Sequence, residues 1–207
     1  MRLGMQVFRE KLAHLPIFSI NDIRKLFPAF DRKRLVEWKD KGYIIAISRG
    51  FYAWPGAVST EKDKWAMACK VYSPAYISKE SALSYYGIIP EGVFSITTIT
   101  THKTRAFAVD DTSFIFRTMQ PALFFGYTFR HAPNGMPYSL AYPEKVLLDW
   151  LYLHPYIKDQ TDFESLRWNK ATWLAIMNQE RMTNYKAAFD GHAFNQRFNI
   201  FQSWLHD

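Results

Sequence analysis

Cysteine is almost missing from this 207-residue chain, with Cys69 its one example. A single thiol excludes an intramolecular disulfide framework and any cysteine-rich zinc site, and it fits a reducing compartment. Cys69 itself reads as a small buried apolar residue. Long apolar runs are missing too. None approaches the roughly 18 to 20 residues that cross a bilayer, and the opening MRLGMQVFREKLAHLP has neither an unbroken apolar core nor a small-residue cleavage site. The expectation is a cytoplasmic protein with no membrane partner. Patterns that carry chemistry are equally scarce. There is no internal repeat, no low-complexity segment, no Gly-rich phosphate loop, no nucleotidyltransferase-type Gly-Ser with paired acids and no metal-spaced His pair. His102, His131, His154, His192 and His206 stand apart and read as solvated or hydrogen-bonded side chains. Glu37-Trp38-Lys39 matches the end of a nuclease-like acid-x-Lys pattern, but it falls inside a helix rather than on a strand, so we read it as chance. Neither enzyme activity nor a cofactor is expected.

What is present is apolar surface and misplaced charge. Hydrophobic residues make up 48% and aromatic residues 17% of the chain, enough to bury a real core. The net charge of +7 is unevenly spread: residues 1 to 54 hold eleven Lys and Arg against five acids, and the other 153 residues hold fifteen against fourteen. That asymmetry is expected of a nucleic-acid-binding module joined to a neutral partner domain. A solvated basic face that binds nothing has the same composition, so the positions of the charges must decide.

In chain order, residues 5 to 14 predict a first helix with Val7, Phe8, Leu12 and Leu15 near one face, ended by Pro16. Ser19 and Asp22 form a capping-box pair, with Phe18 and Ile23 as the matching hydrophobic staple of a second helix that stops at Pro28. Asp31 is the expected N-cap of a third helix, Arg32 to Lys41, with Phe30 and Leu35 as its staple and Gly42 as terminator. Tyr43 to Ile47, Ser48-Arg49-Gly50 and Phe51 to Trp54 then read as a hairpin. Two helices across a tight turn followed by a hairpin with a basic tip is the element order of a winged helix-turn-helix. On the third helix Leu35 and Trp38 point inward, while Arg32, Lys33, Val36, Glu37 and Asp40 point outward. Recognition helices bring their N-terminal residues to base edges, which makes Arg32, Lys33 and Arg34 candidates for guanine or phosphate contact, with Arg49 at the wing tip. Glu37 is placed to accept from a cytosine amino group or to hold an arginine. Lys39 and Lys41 read as compensation of the helix dipole.

Pro55-Gly56 marks the expected boundary between a DNA-binding domain, 1–56, and a second domain, 57–207. The latter reads as sheet-rich over 75–142 and helical over 143–207. A helix is expected from Glu61 to about Tyr72, then a strand entering a helix capped at Ser78 and ended by Gly87. Val93 to Thr101 alternates as a strand, and hairpins are expected around Asp110-Asp111 and Pro133-Asn134-Gly135. Pro143 opens a helix, and further helices are placed at 171–182, 185–189 and 194–205. The fold class is therefore α+β: an N-terminal winged helix-turn-helix, then a mixed domain with a small antiparallel sheet and C-terminal helices.

Pro74 to Ser78, Glu80 to Glu91, Ile96 to Thr101, Lys103-Thr104-Arg105, Phe124 to Tyr127 and Tyr142 to Asp149 together resemble the AbiEi-type antitoxins. These are the transcriptional-regulator halves of bacterial type IV toxin–antitoxin and abortive-infection systems. The resemblance covers roughly residues 15 to 155, and its specific part is Tyr76 to Lys145. It implies an N-terminal winged helix that represses the operon by binding double-stranded DNA at its own promoter, and a C-terminal domain that counteracts a nucleotidyltransferase-class toxin. The general DNA-contact role transfers to Arg32, Lys33, Arg34 and Arg49. A protein-interaction module and a solitary regulator without a toxin stay open as alternatives.

Overall fold

Ser19 closes one strand and opens the helix after it, and the computed structural model, which describes residues 4–207, is built outward from such joints. Two compact units emerge. One comprises the chain up to Met67 together with His131–Pro137, and the other comprises Ala68–Arg130 with Tyr138–Asp207. The first unit thus reaches beyond Gly56 and takes in the tip of a later hairpin.

In the first unit, α1 (Met5–Leu12) is followed by β1 (Ile17–Ser19), α2 (Ile20–Leu26), α3 (Lys33–Asp40), β2 (Ile45–Ser48) and β3 (Phe51–Ala53). The capping box is present in both directions: the Ser19 hydroxyl accepts the Asp22 N–H at 3.1 Å, and an Asp22 carboxylate oxygen accepts the Ser19 N–H at 2.8 Å. β1 has no counterpart in the sequence reading. Three residues carry too little alternation to signal a strand, yet Ile17, Phe18 and Ser19 pair antiparallel with Ala53, Tyr52 and Phe51, giving a three-stranded sheet ordered β1-β3-β2. Phe8, Leu12, Phe18, Ile23, Leu35, Trp38, Ile44 and Trp54 fill one core. Phe8 is its centre, 4.5 Å from the Trp38 ring and 5.7 Å edge-on to Phe18. Both predicted staples fall within this cluster, Phe30 at its rim.

The chain then enters α4 (Glu61–Val71), which carries it from the first unit into the second. There β4 (Ala75–Ile77), α5 (Lys79–Tyr85), β5 (Ser95–Thr100), β6 (Arg105–Val109), β7 (Thr112–Thr118), a 3-10 turn at Pro121–Leu123, β8 (Tyr127–His131) and β9 (Pro137–Ala141) follow. The small antiparallel sheet of the protein is the one in the first unit. Residues 75–142 were expected to form an antiparallel sheet as well, and here the finer reading is replaced: their sheet has six strands, ordered β6-β7-β5-β4-β9-β8, with parallel pairs β5–β7 and β4–β9. Local hairpin signals name sequential partners, whereas these parallel pairings join strands separated by other elements.

Register assigns the two faces of this sheet. Tyr76 is the partner of Ile99, two residues on from Thr97, so the three share a face. Thr97 Oγ1 donates to the Ser78 carbonyl at 2.8 Å and receives the Ser81 N–H at 3.0 Å, binding α5 to that face. Thr98 and its partner Phe116 point the other way, where Tyr72 meets the Phe116 ring edge at 5.0 Å.

Five helices complete the chain: α6 (Pro143–Leu153), α7 (Gln160–Ser165), α8 (Lys170–Ile176), α9 (Gln179–Lys186) and α10 (His192–His206). The single helix expected over 171–182 is divided, because Asn178 turns out of the helix and caps α9 through the Arg181 N–H at 2.8 Å. α7 is additional, and a reciprocal Asp159–Asp162 box starts it. Phe163, Trp168, Trp173, Phe201 and Trp204 pack ring against ring across α7, α8 and α10. No helix of the described residues is long and apolar enough to cross a membrane.

Candidate nucleic-acid interface

α3 begins at Lys33, one residue later than expected. Its first turn is closed by i to i+3 bonds, Arg34 N–H to the Asp31 carbonyl at 3.2 Å and Leu35 N–H to the Arg32 carbonyl at 3.0 Å, so the α-helical pattern starts late. Asp31 still supplies the starting oxygen, with Oδ1 accepting the Lys33 N–H at 2.9 Å. Leu35 and Trp38 are buried, and the other six positions of α3 are at least partly exposed.

The four sequence candidates divide into two kinds. Arg32, Lys33 and Arg49 are exposed, and among the described residues no side-chain partner engages them. Arg34 is half-buried with its guanidinium 5.7 Å from the Trp38 ring, so it caps the core side of the helix rather than facing outward. The neighbouring charges are occupied. Lys41 holds Glu37 at 2.8 Å, and Lys39 lies 3.4 Å from Asp40. The Lys41 ammonium is raised above its ordinary pKa, first by its hydrogen bond to Glu37. The helix-end role read for Lys39 and Lys41 therefore takes the form of ion pairs, with Lys41 engaging Glu37. Val36 is the residue passed over: it is 57% exposed on the outward face. Its signal was already in the sequence, an apolar residue among the charges assigned to that face.

The wing tip is fixed by local chemistry. Gly50 takes φ +82, a region that disfavours side chains, and its carbonyl accepts the Ile20 N–H at 2.9 Å. Arg49 therefore stands beside the first turn of α2. A register shift between Ala46 and Ser48 adds twist to β2 just before it.

A second constellation lies in the second unit, and it is buried. Lys145 on α6 pairs with Asp149 one turn later and donates to the Tyr76 hydroxyl at 2.9 Å. Asp149 Oδ2 also accepts from Tyr76 and Ser78, each at 2.9 Å. Ser78 occupies the predicted N-cap position of α5, but its hydroxyl is spent on Asp149 and makes no cap bond. Burial raises the Asp149 carboxyl above the ordinary range despite Lys145, and it lowers the Lys145 ammonium. Gly126, at φ +75, lets the backbone lie against this lysine, since a Cβ there would meet Tyr185 at 2.9 Å and Lys145 at 3.1 Å. Beside it Glu144 accepts the Asn178 N–H at 2.6 Å and Arg181 at 3.2 Å. Tyr76, Ser78, Glu144, Lys145 and Asp149 lie in the segments on which the resemblance was read, and all five are buried, holding strand and helix together out of solvent's reach. Among the described residues no group of three or more His, Cys, Asp or Glu side chains is placed to hold a metal ion. No protein-family model matches the chain, and no curated protein matches it in sequence.

Proposed function

We propose that this chain is a cytoplasmic transcriptional repressor that binds double-stranded DNA at its own promoter, with α3 in the major groove and the Arg49 turn on the sugar-phosphate backbone. One observation carries the reading: Arg32, Lys33 and Arg49 are exposed cations with no side-chain partner among the described residues, in a unit whose sequence holds nearly all the excess positive charge, while Arg34, Lys39 and Lys41 along the same helix are stacked or paired. Phosphate neutralisation supplies most of the affinity of such a face and makes it salt-dependent. A helix that carries Arg32 and Lys33 at its amino end supplies the sequence reading.

The test is binding of the full chain to the DNA upstream of its gene across a salt series. Lys33→Ala and Arg49→Ala should each weaken binding and, if the contact is to phosphate, reduce the slope of log affinity against log salt by about one. Unchanged binding in both variants removes the assignment. The antitoxin half of the proposal rests on the resemblance of residues 76–145, and its partner is a nucleotidyltransferase-type toxin encoded next to the gene. Growth restored by this chain in cells expressing that toxin supports it. An adjacent toxin that co-purifies without any shift of DNA makes the chain a protein-interaction module instead, and an adjacent frame of another kind leaves a solitary regulator.

A further inference from the structure

Val36 lies on the outward face of α3, one turn on from Arg32. At about 100° per residue, Arg32 lies about 40° to one side of it and Lys33 about 60° to the other. Both flanking cations are free of side-chain partners among the described residues. Glu37, the neighbour with the chemistry to accept from cytosine, is tied to Lys41 at 2.8 Å. Beside those cations the face therefore offers a branched apolar side chain, Val36, 57% exposed, that neither donates nor accepts a hydrogen bond.

In the major groove one base of the four offers it a matching group, because thymine alone carries a methyl there. Resting on the DNA-binding reading above, we propose that Val36 reads a thymine methyl group, beside the base or phosphate contacts of Arg32 and Lys33. Cytosine at that position presents no methyl and an amino group that Val36 cannot satisfy. The side chain thus selects thymine by apolar burial and disfavours cytosine by stranding a donor.

The experiment selects high-affinity duplexes from a random pool with the full chain, then replaces each thymine in turn by deoxyuridine, which deletes only the methyl group. Wild type should lose about fourfold in affinity at one thymine per bound head, the scale of one buried methyl. Val36→Ala should bind the parent duplex more weakly by a similar factor and be indifferent to deoxyuridine at that position. Val36 is exposed, so this variant keeps its core, and unchanged circular dichroism checks that. If no thymine is methyl-sensitive, or if Val36→Ala keeps the wild-type sensitivity, the inference is overturned while Lys33→Ala still weakens binding. If no duplex is bound at all, the repressor reading falls and takes this inference with it.

Discussion

Lys145 shows how far a charged residue can be from being a site. Its ammonium is wholly buried among the rings of Phe125, Phe189 and Tyr76, at 5.4, 5.1 and 5.3 Å, and its partners are all internal. A pair taken this far out of water gives little net stability, but removing one member leaves the other charged and unsolvated. Lys145→Met should therefore cost about 3–5 kcal/mol in urea unfolding. Adding Asp149→Asn, which removes the stranded charge and keeps an oxygen for the Tyr76 and Ser78 hydroxyls, should recover part of it. A double variant no more stable than the single one contradicts this account. Cys69 is a half-buried residue with a bland role: its thiol approaches the Ser139 carbonyl oxygen at 3.9 Å and desolvation of the sulfur pushes its pKa up to about 12, so at neutral pH it stays a thiol.

Helix starts were the most legible elements, because a cap writes its chemistry into a few adjacent residues. The Ser19 box and both staples of the first unit were readable. The same device at α4 carries a pH signature. Thr60 Oγ1 accepts the Asp63 N–H at 3.2 Å, and Asp63 accepts the Thr60 N–H at 2.9 Å, the Ser59 N–H at 3.3 Å and the Asn134 N–H at 3.0 Å. Burial disfavours the charged carboxyl, but the bonds from Thr60, Asn134 and Ser59 outweigh it, so Asp63 titrates below its ordinary value. A depressed folded pKa gives stability that is complete above the unfolded value of about 3.9 and is lost as pH falls through the folded one. Asp63→Asn should accordingly flatten the loss of stability below about pH 4, measured by thermal melts across pH, and an unaltered acid limb would contradict it. Strands were less legible. β1 is held by β3, more than thirty residues away, and the parallel pairs β5–β7 and β4–β9 leave no local mark. On α3 and the hairpin, the exposure of Arg32, Lys33 and Arg49 was readable from position alone. The engagement of Arg34 with Trp38 and of Glu37 with Lys41 was not, since spacing permits several pairings and packing picks one.

At the scale of the whole molecule, the boundary of the first unit is not a point in the sequence. His131–Pro137 belongs to it, and Asn134 explains why: its side-chain amide donates to the Ala57 carbonyl at 2.9 Å, and its own N–H donates to Asp63. A fragment ending at Met67 keeps α1 to α3 and the three-stranded sheet but loses both bonds, and it leaves Asp63 with one partner fewer. Such a fragment should melt at a lower temperature than the same residues in the full chain, and Asn134→Ala in the full chain should reproduce part of that loss. A fragment as stable as the intact unit would contradict the assignment. The returning segment also bears on ancestry. Gene fusion passes on a stretch of contiguous codons, yet this head is encoded in two stretches separated by 63 codons, so a simple cassette exchange would transplant it incomplete. Its basic face and its sheet partner are thereby bound to be inherited together.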